Sequence, residues 1–370
     1  MKFFCEKALL QGAISTAARA VASKSSIPAL EGLLLQCRPG QLTVSGYNMQ
    51  LGIRTTLSAN TGDTGELVLN ARLFGDIIRL LPDDMLCFTA DEKNLVHITC
   101  GDADFDISGL SADDYPELPE VEDEHGVSLP ERTLKAMIQQ TSFAVSTNEA
   151  RPVHMGSLFE IGTDDLTMVS VDGFRLALRR EKLEAVEGGA FSFVAPGSAL
   201  NEVEKICSDS DETVRITLGS RHVLFTVGET ELICRRLEGE FLDYKNAIPR
   251  RNPIAVTINS RDLLDSLARV SVVISEKLKS PVRCRFDDGR VYLSAKTANG
   301  EGKDVCPIQG DGTGLEIGFN NRYLIEALRY APADTVKLEL NTGISPAVIV
   351  PTEGEENFLY MVLPVRLKAQ

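Results

Sequence analysis

Hydrophobic positions along this chain fall into two periods, and the same order of periods occurs three times. Leu10, Ile14 and Val21 make an apolar stripe at helical spacing within residues 6–21; Leu134, Ile138 and Val145 repeat it within 130–146, and Leu263, Leu267 and Ile274 within 259–275. Residues so spaced share one helix face, so each segment is expected to be amphipathic and to bury that face. Each is followed by two short alternating runs with turn residues between: 33–37 and 42–45, 158–161 and 166–170, 282–286 and 291–294. A period of two predicts antiparallel strand pairs.

A second helical pattern then enters each copy after a short strand. Residues 67–70 lead to 71–82, which Pro82 stops; 315–319 lead to 321–332, which Pro332 stops. Arg72 and Arg322, Phe74 and Leu324, Arg79 and Arg329, and the two prolines recur at one fixed offset. The middle copy, 191–195 then 198–206, enters through Pro196-Gly197 and carries one basic residue, Lys205. Further strands, 95–107, 223–236 and 347–362, close the copies. Units of roughly 110 to 125 residues are too long for solenoid repeats and suit domains. Turn and charged residues cluster at the joins, 116–124 and 248–253. Like domains in series tend to form an arc, and two arcs can close by two-fold symmetry.

One turn stands out. In residues 166–178, LTMVSVDGFRLAL, a strand runs into Asp172-Gly173 and a second strand resumes, but Phe174, Arg175 and Leu176 flank a tip where small polar residues are usual. A large apolar side chain and an arginine there suit a groove for a partner. The other reading places Phe174 and Leu176 on a core and Arg175 in solvent.

Composition narrows the classes. A chain of 370 residues with 43% hydrophobic content exceeds one core, in keeping with several domains. No apolar run approaches the ~18 residues of a membrane span, and the charges within Met1-Lys2-Phe3-Phe4-Cys5-Glu6-Lys7 predict no export signal. The eight cysteines are scattered singly, without metal-ligand spacing, as expected of buried reduced thiols. A formal net charge of -15 opposes non-specific nucleic-acid binding. Of the four histidines, His97, His125, His154 and His222, none belongs to a metal or nucleophile motif. Gly310-Asp311-Gly312-Thr313-Gly314 lacks the lysine of a phosphate loop and precedes a strand, and Ser208-Asp209-Ser210-Asp211-Glu212 lacks the glycine of a calcium loop. No catalytic residue, metal or cofactor is expected.

Several segments together carry a family resemblance: Ser25-Ser26-Ile27-Pro28-Ala29-Leu30-Glu31-Gly32; Ile107-Ser108-Gly109-Leu110 with Asp114-Tyr115-Pro116-Glu117-Leu118-Pro119; Asp172-Gly173-Phe174-Arg175-Leu176-Ala177; Gly239-Glu240-Phe241-Leu242-Asp243-Tyr244; and Leu363-Pro364-Val365-Arg366-Leu367. In order, and with the triplication, they resemble the bacterial DNA polymerase III beta subunits, the sliding clamps, over essentially the whole chain. The resemblance implies an α+β protein of three tandem DNA-clamp domains, 1–120, 128–247 and 253–370, each with two helices packed on antiparallel sheets. A homodimer would close six domains into a ring around duplex DNA, held topologically and without sequence preference. The predicted helices carry a small net positive charge inside an acidic chain, which suits a ring that must slide.

The resemblance also assigns residues. Lys24, Arg72, Asn148, Arg151 and Arg322 would lie near DNA; the plainer account of Lys24, Arg72 and Arg322 is a solvated helix face. A peptide-binding pocket between the second and third domains would take His154, Val171, Gly173, Arg175, Leu176, Leu242, Asn246, Ala247, Met361, Val362, Leu363, Pro364, Val365 and Arg366. Leu176, Val362 and Leu363 would form its apolar floor, and Arg175 its rim. His154 stands where the family usually has an apolar residue, Leu242 replaces a common proline, and Asn246-Ala247 replace an Arg-Val pair. Phe105 and Ile107 would meet Val272 and Val273 of a second copy. Implied partners are the DNA polymerase III alpha subunit and other polymerases, the clamp loader, and mismatch-repair and ligase-type proteins, all through short clamp-binding motifs. The protein would be cytoplasmic, with the nucleoid during replication, and would not meet a membrane. A peptide-binding scaffold that does not encircle DNA is the rival reading.

Overall fold

The expected helices form, but they end sooner than their stripes. In this computed structural model, which describes residues 1–122, 125–184, 186–274, 280–353 and 357–367, the helices are α1 (Lys7–Ala17), α2 (Ala71–Leu80), α3 (Glu131–Thr141), α4 (Gly197–Ile206), α5 (Tyr244–Ala247), α6 (Ser260–Ser271) and α7 (Asn321–Arg329). Turns of 3-10 helix, Ala18–Ala20 and Ser142–Ala144, take over from α1 and α3. The third stripe members, Val21, Val145 and Ile274, therefore lie past their helices and are half-buried. Asparagines cap three starts: the Oδ1 of Asn70, Asn259 and Asn320 accepts from the N–H of Leu73 (2.9 Å), of Arg261 (3.0 Å) and Asp262 (3.1 Å), and of Arg322 (3.1 Å). Such caps satisfy N–H groups that have no partner inside the helix. Residues 123–124, 275, 354–356 and 368–370, parts of the predicted joins and copies, lie outside the described residues.

Every pairing that builds the four named sheets is antiparallel, and the two widest sheets join neighbouring copies. The chain accordingly divides into two compact units that cut through the second copy: one holds 1–134, 185–189 and 202–236, the other 135–184, 190–201 and 237–370.

The first unit has a five-stranded sheet, ordered Asn60–Asp63, Lys2–Glu6, Met85–Ala90, Leu95–Cys100, Ala103–Ser108, so the last strand is an edge. Its nine-stranded sheet joins the copies where Thr230–Arg235 pairs with Leu51–Ser58, Leu232 opposite Ile53. Leu10 and Ile14 of α1, with Phe74 and Ile78 of α2, pack against Phe3 and Phe88, whose rings stack at 4.7 Å. Burying each such side chain contributes about 1.5–3 kcal/mol.

The second unit has an eight-stranded sheet, ordered Phe191–Pro196, Gly156–Ile161, Asp165–Val171, Arg175–Lys182, Phe358–Val362, Ala347–Pro351, Thr335–Leu340, Ile254–Asn259. The second and third copies meet where Leu176 pairs with Met361. Its four-stranded sheet ends at the edge strand Gly300–Pro307. Leu263 and Leu267 of α6, and Leu324 and Leu328 of α7, fill the core with Phe286, Phe319 and Tyr360.

The eight cysteines are free, and all but the half-buried Cys87 are buried. Burial pushes the thiols of Cys5, Cys234 and Cys284 up to about 12, so none is a ready thiolate. Among the described residues no helix is long and apolar enough to cross a membrane.

Candidate functional site

The 172–174 turn is built by one carboxylate. Asp172 Oδ1 accepts the N–H groups of Phe174 (2.9 Å) and Arg175 (3.1 Å), and Gly173 sits at φ +89 with open space where a Cβ would point. Only glycine takes that backbone without strain. The strand leaving the turn alternates: Leu176 and Leu178 lie on one face with Val169 and Val171, Ala177 on the other with the helical core.

Arg175 corrects both readings made from the sequence. Its side chain is 6% exposed, ion-paired to Asp172 Oδ2 at 2.9 Å and to Glu326. It is neither a rim group nor solvated, because a guanidinium at that depth is held only by full pairing. Phe174 is the exposed one, at 59%. Val362 also departs from its expected place. Strand neighbours point to opposite faces, so Met361 and Leu363 share the face of Leu176 while Val362 joins Tyr360 in the helical core.

The face that Leu176 shares is largely closed over by the chain itself. Val171, Leu176, Tyr244, Val348 and Met361 are buried there, with Leu158, Phe241, Ala247, Ile248 and Leu363 partly buried around them. Tyr244 donates to Glu160, and burial first, that carboxylate second, raises its pKa. Asn246, offered as a wall residue, is engaged locally: its amide donates to Asp243 at 2.7 Å, and its Oδ1 accepts Arg250 at 3.2 Å. Leu363 N–H donates to Phe174 O at 2.9 Å and Val365 N–H to Gly318 O at 2.8 Å, which fixes the C-terminal wall beside the turn. Pro364 is half-buried; Val365 and Arg366 are exposed.

Large apolar side chains left bare on the segments bordering this face are Phe174, Leu242 and Val365; elsewhere in the unit Ile344 is 74% exposed. Ile344 lies in the loop that enters the strand Ala347–Pro351, whose Ala347 faces Val362. Neither Ile344 nor Tyr323, whose ring lies against Phe174 and Arg175, was singled out from the sequence, although an isoleucine among Thr342, Gly343 and Ser345 was a visible oddity.

The candidate DNA residues are all on the surface. Lys24 and Arg72 belong to the first unit; Asn148 and Arg151 share a loop of the second, where Arg151 N–H donates to Asn148 O at 3.2 Å. Many helical cations are neutralised: Arg19 and Lys205 by Glu202, Arg79 by Asp76, Arg269 by Asp304, and Arg322 by Glu326. Among the described residues Lys24, Arg72 and Arg151 are exposed and carry no ion pair.

Phe105 (38%) and Val305 (42%) are exposed on the two edge strands and Val272 (84%) just past α6, whereas Ile107 and Val273 are half-buried against their own cores. Across the first edge His97 Nδ1 meets Asp106 at 2.9 Å and Asp104 at 3.4 Å, a cross-strand group that linear spacing hides. The acidic run at 208–212 serves the fold: Ser208 donates its N–H (2.7 Å) and Oγ–H (2.8 Å) to Glu131, and Asp211 pairs with Arg132.

Three family models match in order along the chain: the DNA polymerase III beta subunit N-terminal domain over 1–119, its central domain over 128–243 and its C-terminal domain over 245–366. A beta sliding clamp of Staphylococcus epidermidis is 31% identical over 376 residues, 99% of each chain. This chain belongs to the DNA polymerase III beta-subunit family. The Bacillus subtilis beta sliding clamp is 29% identical over 99% of this chain and 100% of its own. Among solved structures, a putative DNA polymerase III beta subunit from Eubacterium rectale superposes with a TM-score of 0.94 at 31% identity over 99% of both chains. The Bacillus subtilis DNA polymerase sliding clamp does so with a TM-score of 0.94 at 28% identity over 100% of both. Like those relatives, this family member is three tandem clamp domains of antiparallel sheets with few helices.

His154 sets an expectation for this member. It is buried and packs edge-on to Phe241, ring centroids 5.3 Å apart. Burial, and then the charge of Arg151, holds its pKa below the ordinary value. A depressed folded pKa means that the neutral ring's contribution is complete above the unfolded value of about 6.5 and is lost as pH falls from there through the folded pKa. The thermal midpoint is therefore expected to drop between about pH 7 and pH 5. His154→Leu should remove part of that drop; a slope unchanged by the substitution would refute the assignment.

Proposed function

We propose that this protein is a non-catalytic DNA sliding clamp, a processivity factor that closes as a ring-shaped homodimer around duplex DNA and tethers the replicative polymerase. The observation that carries the reading is the full-length succession of three clamp domains, with sheets that run across the joins and bare edge strands at Ala103–Ser108 and Gly300–Pro307. Bare strand edges with exposed Phe105 and Val305, and the exposed Val272 at the end of α6, call for cover, and a second copy supplies it twice by two-fold closure. Charge fits the same task. With -15 overall and many helical cations already paired to carboxylates, phosphate contacts at Lys24, Arg72, Asn148, Arg151 and Arg322 are weak enough to slide, and retention is topological.

The groove bordered by the 172–174 turn takes short partner segments that carry a glutamine and closely spaced leucine and phenylalanine side chains. Its partners are the polymerase III alpha subunit and other polymerases, the clamp loader, and mismatch-repair and ligase-type proteins. The protein works in the cytoplasm, with the nucleoid during replication. Clamp loaded on closed circular DNA should stay bound at about 0.5 M salt, where ordinary phosphate contacts fail, and should leave once the circle is cut. Gel filtration of the loaded DNA before and after linearisation measures this. Equal loss from circles and linear DNA would defeat the clamp reading in favour of a peptide-binding scaffold or an ordinary charge-driven binder.

A further inference from the structure

A row of alternating charges joins the 172–174 turn to α7 within the second unit. Asp172 shapes the turn through Oδ1 and accepts Arg175 Nε on Oδ2 at 2.9 Å. Arg175 Nη1 donates to Glu326 Oε2, and Glu326 Oε1 accepts Arg322 Nε at 2.9 Å. Side-chain exposure is 13% for Asp172, 6% for Arg175 and 18% for Glu326, but 74% for Arg322. Three members are sheltered and one faces out. The Arg175 guanidinium lies 4.5 Å from the Tyr323 ring centroid, and Phe174 stacks on that ring at 6.0 Å. Burial works to raise the pKa of Glu326, yet hydrogen bonds from Arg175 and Arg322 overcome it and hold the group below its ordinary value. Glu326 is thus a carboxylate divided between two guanidiniums.

We propose that Arg322 tunes the peptide groove through Glu326, each a positioning residue for the 172–174 turn. The inference rests on the clamp reading, in which that turn borders the groove. A carboxylate shared by two cations gives each less than it would give one alone, and shelter from water enlarges the difference. When Arg322 is withdrawn, Glu326 turns wholly to Arg175. Arg175 is then held more firmly between Glu326 and Asp172, the turn keeps less freedom, and an incoming segment has less ordering to impose. Capture of Arg322 by a phosphate has the same sign as its removal, so the outward face and the groove are linked through one contiguous set of contacts. Because Arg322 is exposed, the effect belongs at or below the low end of measured couplings, roughly two- to fivefold.

The test is a cycle of affinities on the full-length protein. A fluorescein-labelled segment with one glutamine and spaced leucine and phenylalanine residues is titrated by anisotropy into wild type, Arg322→Gln, Glu326→Gln and the double variant, with circular dichroism melts to confirm folding. Arg322→Gln is expected to tighten binding roughly two- to fivefold, and the same substitution to do nothing in the Glu326→Gln background. A merely structural loss of an ion pair would weaken binding in both. No change, weakening, or an equal gain in both backgrounds overturns the proposal. Absence of binding to wild type overturns the groove reading and the coupling with it, whereas binding that ignores Arg322→Gln sinks the coupling alone.

Discussion

Phe105→Asp combined with Val272→Asp is expected to turn the dimer into monomers. Val272 is 84% exposed on the single chain, and Phe105, at 38%, lies outside the buried cluster of its unit, so the substitutions leave both cores intact. Their neighbours Ile107 and Val273 are half-buried against those cores, and carboxylates there would confuse weakened association with unfolding. In a two-fold ring each seam would bury one carboxylate from each copy without a partner, four in all. At about 2 kcal/mol for each unsatisfied group the ring loses about 8 kcal/mol, a change of roughly five to six orders of magnitude in dissociation constant. Asp104 and Asp106 already stand on the same edge strand, so added negative charge there finds no relief. Sedimentation velocity decides the matter. Dimers that persist in the folded double variant would place the interface elsewhere.

Much of the fold was legible because its signals are local. Apolar spacing marked the helices, alternation marked the strands, and the recurrence of Arg72, Phe74 and Pro82 as Arg322, Leu324 and Pro332 exposed the triplication. The asparagine caps at Asn70 and Asn320 belong to the same recurrence. What stayed hidden depends on register and on distant contacts. A strand's two faces are easily separated in sequence, but which face meets the helices is set by partners far along the chain. Arg175 looked like a rim group because its counter-ion Glu326 is 151 positions away. Val362 was put in the groove floor beside Leu363, though adjacent strand residues cannot both face it. The small positive charge of the helices was legible as a sum, but not which cations are engaged: Arg19 is paired to Glu202 of another helix, and Arg269 to Asp304 of a strand. The Glu326–Arg322 pair was visible at helical spacing; the third member that makes it interesting was not.

Leu363→Asp is expected to abolish partner-segment binding while the dimer persists. Leu363 lies half-buried at the margin of the apolar face, beside buried Leu176 and Met361, and its N–H is fixed to Phe174 O at 2.9 Å. That hydrogen bond belongs to the backbone and survives the substitution, so the wall stays in place and only its surface changes. Leu176 itself, 1% exposed, is already core and is reached by no partner directly. A segment burying two apolar side chains against Leu363, Phe174 and Leu242 gains roughly 3 to 6 kcal/mol before ordering costs. A carboxylate in the middle of that contact removes much of the gain and adds about 1–3 kcal/mol for an unsatisfied buried group. Affinity should fall by at least about a hundredfold, since each 1.4 kcal/mol is a factor of ten. The proposed seam residues Phe105 and Val272 lie on other elements, so sedimentation should still report a dimer. Anisotropy titration of the labelled segment against wild type and variant makes the comparison, and the two pockets of a ring require a monovalent probe so that avidity does not mask the loss. Unchanged affinity in a folded, dimeric Leu363→Asp protein would mean that the face around residues 166–178 is only a core closed by its own chain, and that partners dock elsewhere.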